Sequence, residues 1–426
     1  MKLHIENFAK IKGATLELKG LTVIAGNNNT GKSTVGKILY SIYRGLSNID
    51  DRVKRDVRET ILNALTRPFK GLKVQGGEIE MIVNGTATVD DVFRRAFAQG
   101  LDGVKLSKEQ LNSIAEEFLP SITDKISKIL KMPQDVIAQR ILLGVFDCVF
   151  CHQFHPLKPG VPNAVIEFTI KEKINRLVFG SERWSMEVPT KLFSKAHFIA
   201  NPDILNLLNY RGFRSNQGVL SKAFDKYTFE LAKTLYEGED DDESSSSGDE
   251  AIANERWRSL ESTLDSVIQG RIDRDQSDDI ALFEEGNSAP TKFGNLSMGL
   301  KAFVLLRMMI QNEILADKDV LILDEPEIHL HPEWQVVYAK AIVQLQKAFQ
   351  LTVLVTTHSP FFVNALQRFS LTDEIADETN FYLSERDPAH DGYCVFKSLE
   401  YRTGPIFRTF NRAYNAIEPE RYPEDL

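Results

Sequence analysis

The chain has 426 residues, a formal net charge of −9, 42% hydrophobic residues and 26% charged residues, an ordinary globular composition with room for two or three domains. No apolar run approaches the roughly 20 residues that span a bilayer, and the first residues lack the apolar core of a secretion signal. Three cysteines do not make a disulfide framework, so we expect a cytoplasmic protein with no membrane partner.

Much of the negative charge lies in one polar tract. Eight acidic residues fall between positions 237 and 250, and the rest of the chain is near neutral. Residues 238–250 offer no apolar side chain to bury, so we expect a disordered acidic linker, with an acidic mimic of nucleic acid as the alternative. The strongly basic footprint of an autonomous DNA-binding domain is absent. Nucleic acid stays open as a partner, because folding can create a local basic groove.

The first 25 residues predict three strands, since Leu3 and Ile5, then Leu16 and Leu18, alternate with polar neighbours, and Leu21 to Ala25 are mainly apolar. Residues 45–139 have a mostly helical, charged pattern, with one strand expected at Glu78 to Val83.

Residues Gly26 to Ser33 read Gly-Asn-Asn-Asn-Thr-Gly-Lys-Ser, the pattern of a phosphate-binding loop, and they lie between a predicted strand and a predicted helix. The glycines let successive backbone N–H groups point at phosphate oxygens, and the helix N-terminus adds its positive end. Lys32 can reach the terminal phosphates, and the Ser33 hydroxyl can bind Mg²⁺. We predict that ATP is bound by Gly26, Asn27, Asn28, Asn29, Thr30, Gly31, Lys32, Ser33 and Thr34.

Alternating strands and helices return after the insert. A hairpin is expected at Ala164–Ile170 and Arg176–Gly180, followed by the apolar run Ala196–Ala200 and a helical stretch at Asp203–Asn209. The C-terminal third predicts four elements. Met298–Leu315 is expected to be a buried helix, and Val320–Leu323 and Leu351–Thr356 are expected to be two strands of a parallel sheet. A further helix is expected to begin at Pro332.

Two carboxylates follow the strand Val320–Leu323. We assign Asp324 to Mg²⁺ and Glu325 to deprotonating the attacking water. His358 follows the next strand, at the sheet edge where ligands bind, and could donate a hydrogen bond to the terminal phosphate as a second catalytic residue. Ser297 and Gly299 begin the buried helix, where a hydroxyl and a helix N-terminus favour an anion; alone they would indicate only a capped helix.

Together these motifs resemble the ABC-type ATPase head of the RecF/SMC kind. The resemblance implies an α/β P-loop NTPase fold, with a mixed sheet flanked by helices and here a largely helical insertion. Val320–Pro332 and Thr356–Pro360 more narrowly resemble the ATPase part of OLD-family nucleases and related antiphage ATPases, such as the Septu and PARIS subunits. The implied division has three head segments, 1–45, 145–200 and 291–426, a mainly helical insert at 46–144, and a helical segment at 201–290 that contains the acidic linker.

The resemblance implies that Ser297 and Gly299 contact the terminal phosphate bound by a second copy, so that ATP joins two chains in a homodimer. His329 and His331 would lie near the seam, and higher oligomers stay open. Met298 and Leu300 depart from the usual Ser-Gly-Gly-Gln signature. The family also uses a glutamine loop, and Gln153 is the candidate for contacting Mg²⁺ or the attacking water.

Cysteine and histidine residues also cluster beside Gln153. Cys148, Cys151, His152 and His155 could supply four ligands to zinc, although adjacent Cys-His spacing is awkward for one tetrahedron. The default interpretation is buried cysteines near the active site. A haem attachment site does not suit a chain without a secretion signal.

The predicted function is an Mg²⁺-dependent ATPase switch that dimerises around ATP and regulates a separate nuclease of HNH or TOPRIM type in antiphage defence. Only 68 residues follow His358, with no acidic metal-binding constellation, so we expect the effector to be another chain. The alternative is a RecF-like DNA-repair ATPase, whose hydrolysis DNA would stimulate. A transporter subunit fits less well, because of the Glu-Ile-His-Leu-His-Pro extension and the helical insert.

Overall fold

The computed structural model describes residues 1–69, 71–99, 107–154, 160–170, 172–180, 184–186, 191–209, 213, 216–237, 260–277 and 279–417. The expected acidic linker at 238–250 and His155 lie outside the described residues. The chain divides into two compact units, one made of Met1–Arg44 with Val145–Leu426 and the other of Gly45–Gly144. Within the described residues, no helix has the length and apolar character that crossing a membrane requires.

The strands of the first unit are, in chain order, β1 (Lys2–Phe8), β2 (Ile11–Glu17), β3 (Leu21–Gly26), β4 (Ala164–Ile170), β5 (Lys173–Phe179), β6 (Trp184–Met186), β7 (Ala196–Ile199), β8 (Gly270–Arg274), β9 (Ile280–Glu284), β10 (Thr291–Lys292), β11 (Val320–Asp324), β12 (Thr352–Thr357), β13 (Thr379–Arg386) and β14 (Cys394–Glu400). Eleven of these described strands form one mixed sheet in the order β6-β5-β4-β1-β2-β14-β13-β3-β12-β11-β7.

The strands β13, β3, β12, β11 and β7 run parallel to one another, so their carboxyl ends share one edge of the sheet. Asp324 is in register with Thr356, and Thr357 is in register with Ala25. The strands β3 and β11 are buried almost throughout because helices cover them, as the continuous apolar sequence predicts. The register therefore brings the phosphate-binding loop and the two carboxylates to the same edge.

The helices of the first unit are α1 (Lys32–Leu46), α7 (Leu205–Leu208), α8 (Gln217–Ala223), α9 (Lys226–Glu237), α10 (Met298–Gln311), α11 (Pro332–Phe349), α12 (Pro360–Thr372) and α13 (Gly404–Ile417). Short 3-10 turns occupy Pro202–Ile204, Phe293–Asn295 and Ala376–Glu378. The buried apolar residues of α10, α11 and α12 pack with β3, β11 and β12 in one core. Burying one large aliphatic side chain contributes about 1.5–3 kcal/mol, so this core holds the parallel strands in place.

The second unit contains α2 (Ile49–Thr66), α3 (Gly76–Val83), α4 (Val89–Ala98), α5 (Lys108–Leu130) and the start of α6 (Gln134–Phe150). Its own core is rich in aromatic rings, with Phe69 in edge contact with Phe93, Phe97 and Phe118. This unit therefore has a hydrophobic core separate from that of the sheet.

The strand expected at Glu78–Val83 is wrong, because these residues belong to helix α3. Gln75 and Glu78 form a reciprocal capping box, which satisfies backbone N–H groups at the helix start. The buried residues are Ile79 and Ile82, three positions apart, as on one face of a helix. Polar and apolar residues alternate from Glu78 to Glu80, as in a strand, but the capping box and the burial pattern are those of a helix.

The expectation that 201–290 is a helical segment is also partly wrong. The strands β8, β9 and β10 form a separate antiparallel sheet in this region. Asp275 forms the turn between β8 and β9 by accepting hydrogen bonds from the N–H groups of Ser277 and Asp279. Because β8 is largely exposed and charged, its sequence carries almost no apolar alternation, and only the buried β9 could have indicated a sheet.

Candidate nucleotide-binding site

The phosphate-binding loop connects the end of β3 to the start of α1. Gly26 lies so close to β13 that a Cβ atom there would overlap the carbonyl oxygen of Ser384. Gly31 has a φ of +83°, and a Cβ atom there would be 3.1 Å from the Ile11 side chain. The loop therefore requires glycine for close packing at the first position and for left-handed backbone at the second.

The lysine of the loop is folded over its own backbone. Lys32 is only 3% exposed, and its Nζ donates to the carbonyl oxygens of Gly26 at 3.0 Å and Asn27 at 2.9 Å. Thr30 donates its hydroxyl proton to the Asn27 carbonyl at 2.8 Å, and Ser384 donates to the Thr30 carbonyl at 2.7 Å. These contacts hold the loop in shape and keep the ammonium group at its centre.

The remaining loop residues differ in exposure. Asn27, Asn28 and Asn29 are exposed, whereas Thr30 is buried. Ser33 and Thr34 are half-buried in the first turn of α1. The first turn of a helix carries backbone N–H groups without helical acceptors, so this end of α1 suits an anion.

Asp324 ends β11 beside the loop. It accepts a hydrogen bond from the Thr356 hydroxyl and is also in hydrogen-bonding contact with the Ser33 hydroxyl. Burial raises the pKa of Asp324 above its ordinary value, and the two hydroxyl contacts oppose that rise. A carboxylate and a hydroxyl thus present adjoining oxygen atoms at the sheet edge.

Glu325 lies between Lys32 and His358, two residues that the sequence predicts to belong to the site. Its Oε1 is 3.3 Å from Lys32 Nζ, and its Oε2 is 3.4 Å from His358 Nδ1. Its backbone is left-handed, with a φ of +49°, and its N–H donates to the Thr356 carbonyl at 3.0 Å. The contact with His358, followed by the charge of Lys32, lowers the pKa of Glu325, so this side chain is an ionised carboxylate.

His358 faces two carboxylates with the same ring nitrogen. Nδ1 is 3.4 Å from Glu325 Oε2 and 3.5 Å from Glu327 Oε1, which are ion-pair distances without a well-aligned hydrogen bond. The contact with Glu325, supported by the charge of Glu327, raises the pKa of His358 above its ordinary value. The imidazole is held at the same sheet edge as the loop.

Sequence reasoning missed two residues of this cluster. Glu327 is 2% exposed and accepts hydrogen bonds from the Thr357 hydroxyl at 2.6 Å and from the His358 N–H at 3.0 Å. Thr356 is fully buried and supports Asp324. Two features of the sequence could have indicated these residues. Glu327 is a third acidic residue two positions after Glu325, and Thr356 is a hydroxyl residue at the end of an otherwise apolar strand.

Ser297 and Gly299 lie at the start of α10. Ser297 is exposed and caps the helix by accepting from the Leu300 N–H at 3.2 Å. Gly299 is packed so tightly that a Cβ atom would be 3.0 Å from the His329 carbonyl oxygen and 3.1 Å from the Trp334 ring. Among the described residues, no hydrogen bond or ion pair joins either residue to the phosphate-binding loop of the same chain.

Gln153 is not brought into the cluster. It is exposed just beyond α6, and its backbone N–H donates to the Phe150 carbonyl at 2.8 Å. No hydrogen bond of its side chain to the loop occurs within the described part of the chain. The structure leaves Gln153 apart from Lys32, Asp324 and Glu325.

The default interpretation of buried cysteines is wrong, because Cys148 and Cys151 are both exposed. Helix α6 buries Val145, Phe146 and Val149, which leaves Cys148 on its opposite face. His152 instead lies 3.0 Å from Asp147. In the described ranges, no group of three or more His, Cys, Asp or Glu residues could hold a metal ion.

Two family models match the chain and between them contain the loop, both carboxylates and His358. Residues 168–364 match the family described as "AAA domain, putative AbiEii toxin, Type IV TA system", and residues 2–153 match a family described as "AAA domain". The Septu protein PtuA of Bacillus mycoides (strain KBAB4) is 26% identical over 201 residues, a match that covers 41% of this chain. The chain is therefore similar to AAA ATPase domains over these two ranges, and over the matched 201 residues to a Septu protein.

The match to PtuA covers 27% of that protein, about a quarter of its length. Similar solved structures include an SMC head bound to the C-winged helix domain of ScpA, 14% identical with a TM-score of 0.41, covering 93% of this chain and 96% of that one. The SMC head domain from Thermotoga maritima is 11% identical with a TM-score of 0.38, covering 93% and 98% respectively.

Proposed function

We propose that this protein is an Mg²⁺-dependent ATPase that dimerises around ATP and controls a separate nuclease. The observation that carries the proposal is the 3.3 Å contact between Lys32 of the phosphate-binding loop and Glu325 at the end of β11. It supports a site in which the phosphate-binding cation and the catalytic carboxylate are neighbours. The experiments below test binding, turnover and assembly separately.

Magnesium fits the oxygen atoms beside the loop. Asp324 and Ser33 offer a carboxylate and a hydroxyl, and Mg²⁺ prefers such oxygen ligands while keeping water and phosphate oxygens in its other positions. The ion would neutralise part of the phosphate charge as it develops. The Thr356 hydroxyl stabilises the ionised form of Asp324 and fixes its direction, which prepares this side chain to bind a cation.

Glu325 is restrained by its charged partners, Lys32 and His358. Its pairing with His358 and Lys32 lowers its pKa and so makes it a weak base. A triphosphate oxygen is a stronger partner for Lys32 than the loop carbonyls or the carboxylate, because the charges are opposite and the geometry allows several contacts. When Lys32 turns to the phosphate, Glu325 loses a cation, its basicity rises, and it can accept a proton from water.

The start of α10 supports a contact in trans. Ser297 is exposed and has no hydrogen bond to the loop of its own chain within the described residues. A hydroxyl and a helix N-terminus that face solvent can bind an anion held by another copy. We propose that Ser297 and Gly299 contact the terminal phosphate of a second chain, with His329 and His331 near the interface. ATP would then stabilise the dimer by mass action.

Two substitutions of Ser297 separate helix capping from phosphate binding. Ser297→Asp keeps a side-chain acceptor for the Leu300 N–H, so folding stability should stay close to wild type. Its negative charge repels the phosphate, so ATP-dependent dimerisation should be lost. Ser297→Ala should lower the free energy of unfolding by about 1 kcal/mol and weaken dimerisation less. Chemical denaturation and sedimentation test the pair; a Ser297→Asp variant that dimerises normally with ATP would contradict the trans contact.

Thr356→Val should weaken the Mg²⁺ site selectively. The substitution removes the hydroxyl that donates to Asp324 but keeps the shape of the buried side chain. The Glu325 N–H also contacts this hydroxyl, at 3.1 Å, and keeps its bond to the Thr356 carbonyl at 3.0 Å. A hydrogen bond to a charged group contributes about 1.5–3 kcal/mol, so the Mg²⁺ concentration for half-maximal ATPase rate should rise roughly tenfold to hundredfold. ATP binding in EDTA should change little.

Thr22→Val is the matched control for Thr356→Val. Thr22 lies on the neighbouring strand β3, and its buried hydroxyl has no hydrogen-bond partner among the described residues. Its loss should leave the Mg²⁺ requirement unchanged. Equal Mg²⁺ requirements for the two variants would remove Thr356 and Asp324 from the proposed cation site.

The similarity of the matched segment to PtuA supports the proposal of a defence ATPase with a nuclease effector. Co-purification with the product of the neighbouring gene, followed by a phage infection assay, tests this part. We expect a stable complex and protection only when both chains are present. Protection by the ATPase alone would contradict a separate effector, and DNA-stimulated hydrolysis would favour a DNA-repair role.

A further inference from the structure

The third acidic residue of the cluster, Glu327, is buried, and its two carboxylate oxygen atoms differ in their contacts. Its Oε1 accepts from the Thr357 hydroxyl at 2.6 Å and from the His358 N–H at 3.0 Å. Its Oε2 is buried with no hydrogen-bond partner among the described residues. A buried carboxylate costs free energy unless its charge is compensated, so its presence at this position calls for a functional explanation.

The oxygen that makes these contacts also faces the imidazole. Glu327 Oε1 is 3.5 Å from His358 Nδ1, and Glu325 Oε2 is 3.4 Å from the same nitrogen. Nδ1 is buried, although the His358 side chain as a whole is 40% exposed. Because both carboxylates face Nδ1, a proton on this nitrogen is favoured, and the Nε2–H of the imidazolium is left to donate to a ligand.

The network around Glu327 also fixes the backbone that carries the imidazole. Thr357 Oγ1 accepts from the Ser359 N–H at 3.0 Å, and Ser359 donates its hydroxyl proton to Gln335 at 2.7 Å. Gln335 in turn donates to the Leu330 carbonyl at 3.1 Å. The turn after β12 is thereby tied to helix α11 and to the segment that follows the two catalytic carboxylates.

We propose that Glu327 is a positioning residue that holds the turn at His358 and keeps a proton on Nδ1, so that His358, as the imidazolium, directs its Nε2–H at the terminal phosphate. The phosphate contact rests on the proposed function, whereas the state of the imidazole in the nucleotide-free protein does not. The charged groups facing His358 are Glu325, Glu327 and Lys32, and only the lysine opposes protonation. Glu327 therefore acts through His358 and not on the phosphate.

The nucleotide-free protein provides the first test. ¹⁵N-histidine labelling gives one pair of ring-nitrogen signals for each of the eight histidines, and His358→Gln identifies the pair of interest. The proposal predicts an Nδ1–H tautomer for neutral His358 in the wild-type protein. It also predicts that the pKa of His358 falls by about one pH unit in Glu327→Gln, because an opposite charge is removed. An Nε2–H tautomer, or the same titration in a folded Glu327→Gln variant, would overturn it.

Steady-state kinetics provide the second test. The amide oxygen of Glu327→Gln can still accept from Thr357 and the His358 N–H, so we expect KM within about threefold of wild type and kcat reduced about tenfold. Glu117→Gln, at an exposed glutamate of α5, should change neither constant. Equal kcat values for the two variants would refute the positioning role.

The two tests distinguish failure of this inference from failure of the proposed function. If the wild-type protein binds no ATP, the proposed function fails, but the tautomer measurement still decides the role of Glu327. If Glu327→Gln does not fold, the wild-type spectrum alone decides, because an Nε2–H tautomer contradicts the proposal. A wild-type enzyme with normal turnover and an Nε2–H tautomer would reject only the inference about Glu327.

Discussion

Glu325→Gln is expected to bind ATP with near wild-type affinity and to hydrolyse it about 10²- to 10⁴-fold more slowly. Glutamine has the size of glutamate, so the turn after β11 and the N–H bond to Thr356 should persist. The amide cannot accept a proton from water, and this removes the basic group that the contacts with Lys32 and His358 surround. Phosphate release measured with saturating ATP, alongside equilibrium binding of a fluorescent ATP analogue, separates the two properties.

The exposed variant Glu117→Gln, in α5, controls for the substitution itself and should retain full turnover. Normal turnover by Glu325→Gln would show that another group activates the water. Loss of binding together with turnover would instead indicate that Glu325 maintains the structure of the loop through Lys32. Either result would contradict the assignment of Glu325 as the catalytic base.

Lys32→Ala is expected to weaken ATP binding by roughly 30-fold to several thousand-fold, the effect of losing one member of a desolvated charged contact worth about 2–5 kcal/mol. The amine is 3% exposed and donates to two loop carbonyls, so its contact with the phosphate would be a desolvated one. The Gly26 and Asn27 carbonyl oxygens lose a donor, but the glycine geometry of the loop does not depend on that contact. Calorimetry with ATP and Mg²⁺ measures the change in affinity.

Lys19→Ala removes an exposed lysine from the turn between β2 and β3 and provides a charge-matched control. Its affinity for ATP should equal that of the wild-type protein. If Lys32→Ala and Lys19→Ala bound ATP equally well, the loop Gly26–Ser33 would not be the nucleotide site. A large loss in both variants would point to general electrostatic attraction in place of a specific contact.

Much of the fold could be predicted because its signals are local. The strands β3 and β11 are continuous apolar runs. The spacing of the glycine, lysine and serine residues in Gly26–Ser33 is typical of a phosphate-binding loop and of few other structures. Parallel pairing then brings Lys32, Asp324 and Glu325 to one edge through the register of β3, β12 and β11. Whether two neighbouring strands are parallel or antiparallel depends on how the chain connects them, and the sequence only partly indicates these connections.

The contacts that could not be predicted depend on tertiary structure. Nothing in the spacing of Glu327 indicates that it folds back on Thr357 and His358, about 30 residues later in the chain. The exposed strand β8 and the helix at Glu78–Val83 were missed because period-two alternation is a weak signal over five or six residues. Whether Cys148 is buried depends on which face of α6 packs against a neighbouring element. The periodicity of the sequence alone does not establish that face.

The central claim is that two copies of this chain bind ATP between them. Sedimentation velocity of Glu325→Gln, with and without ATP and Mg²⁺, tests it most directly because slow turnover preserves the assembled state. We predict that a 48.2 kDa monomer converts to about twice that mass only when both ATP and Mg²⁺ are present. The double variant Glu325→Gln with Ser297→Asp should stay monomeric. A mass that does not respond to ATP, in a variant shown to bind it, would contradict the account.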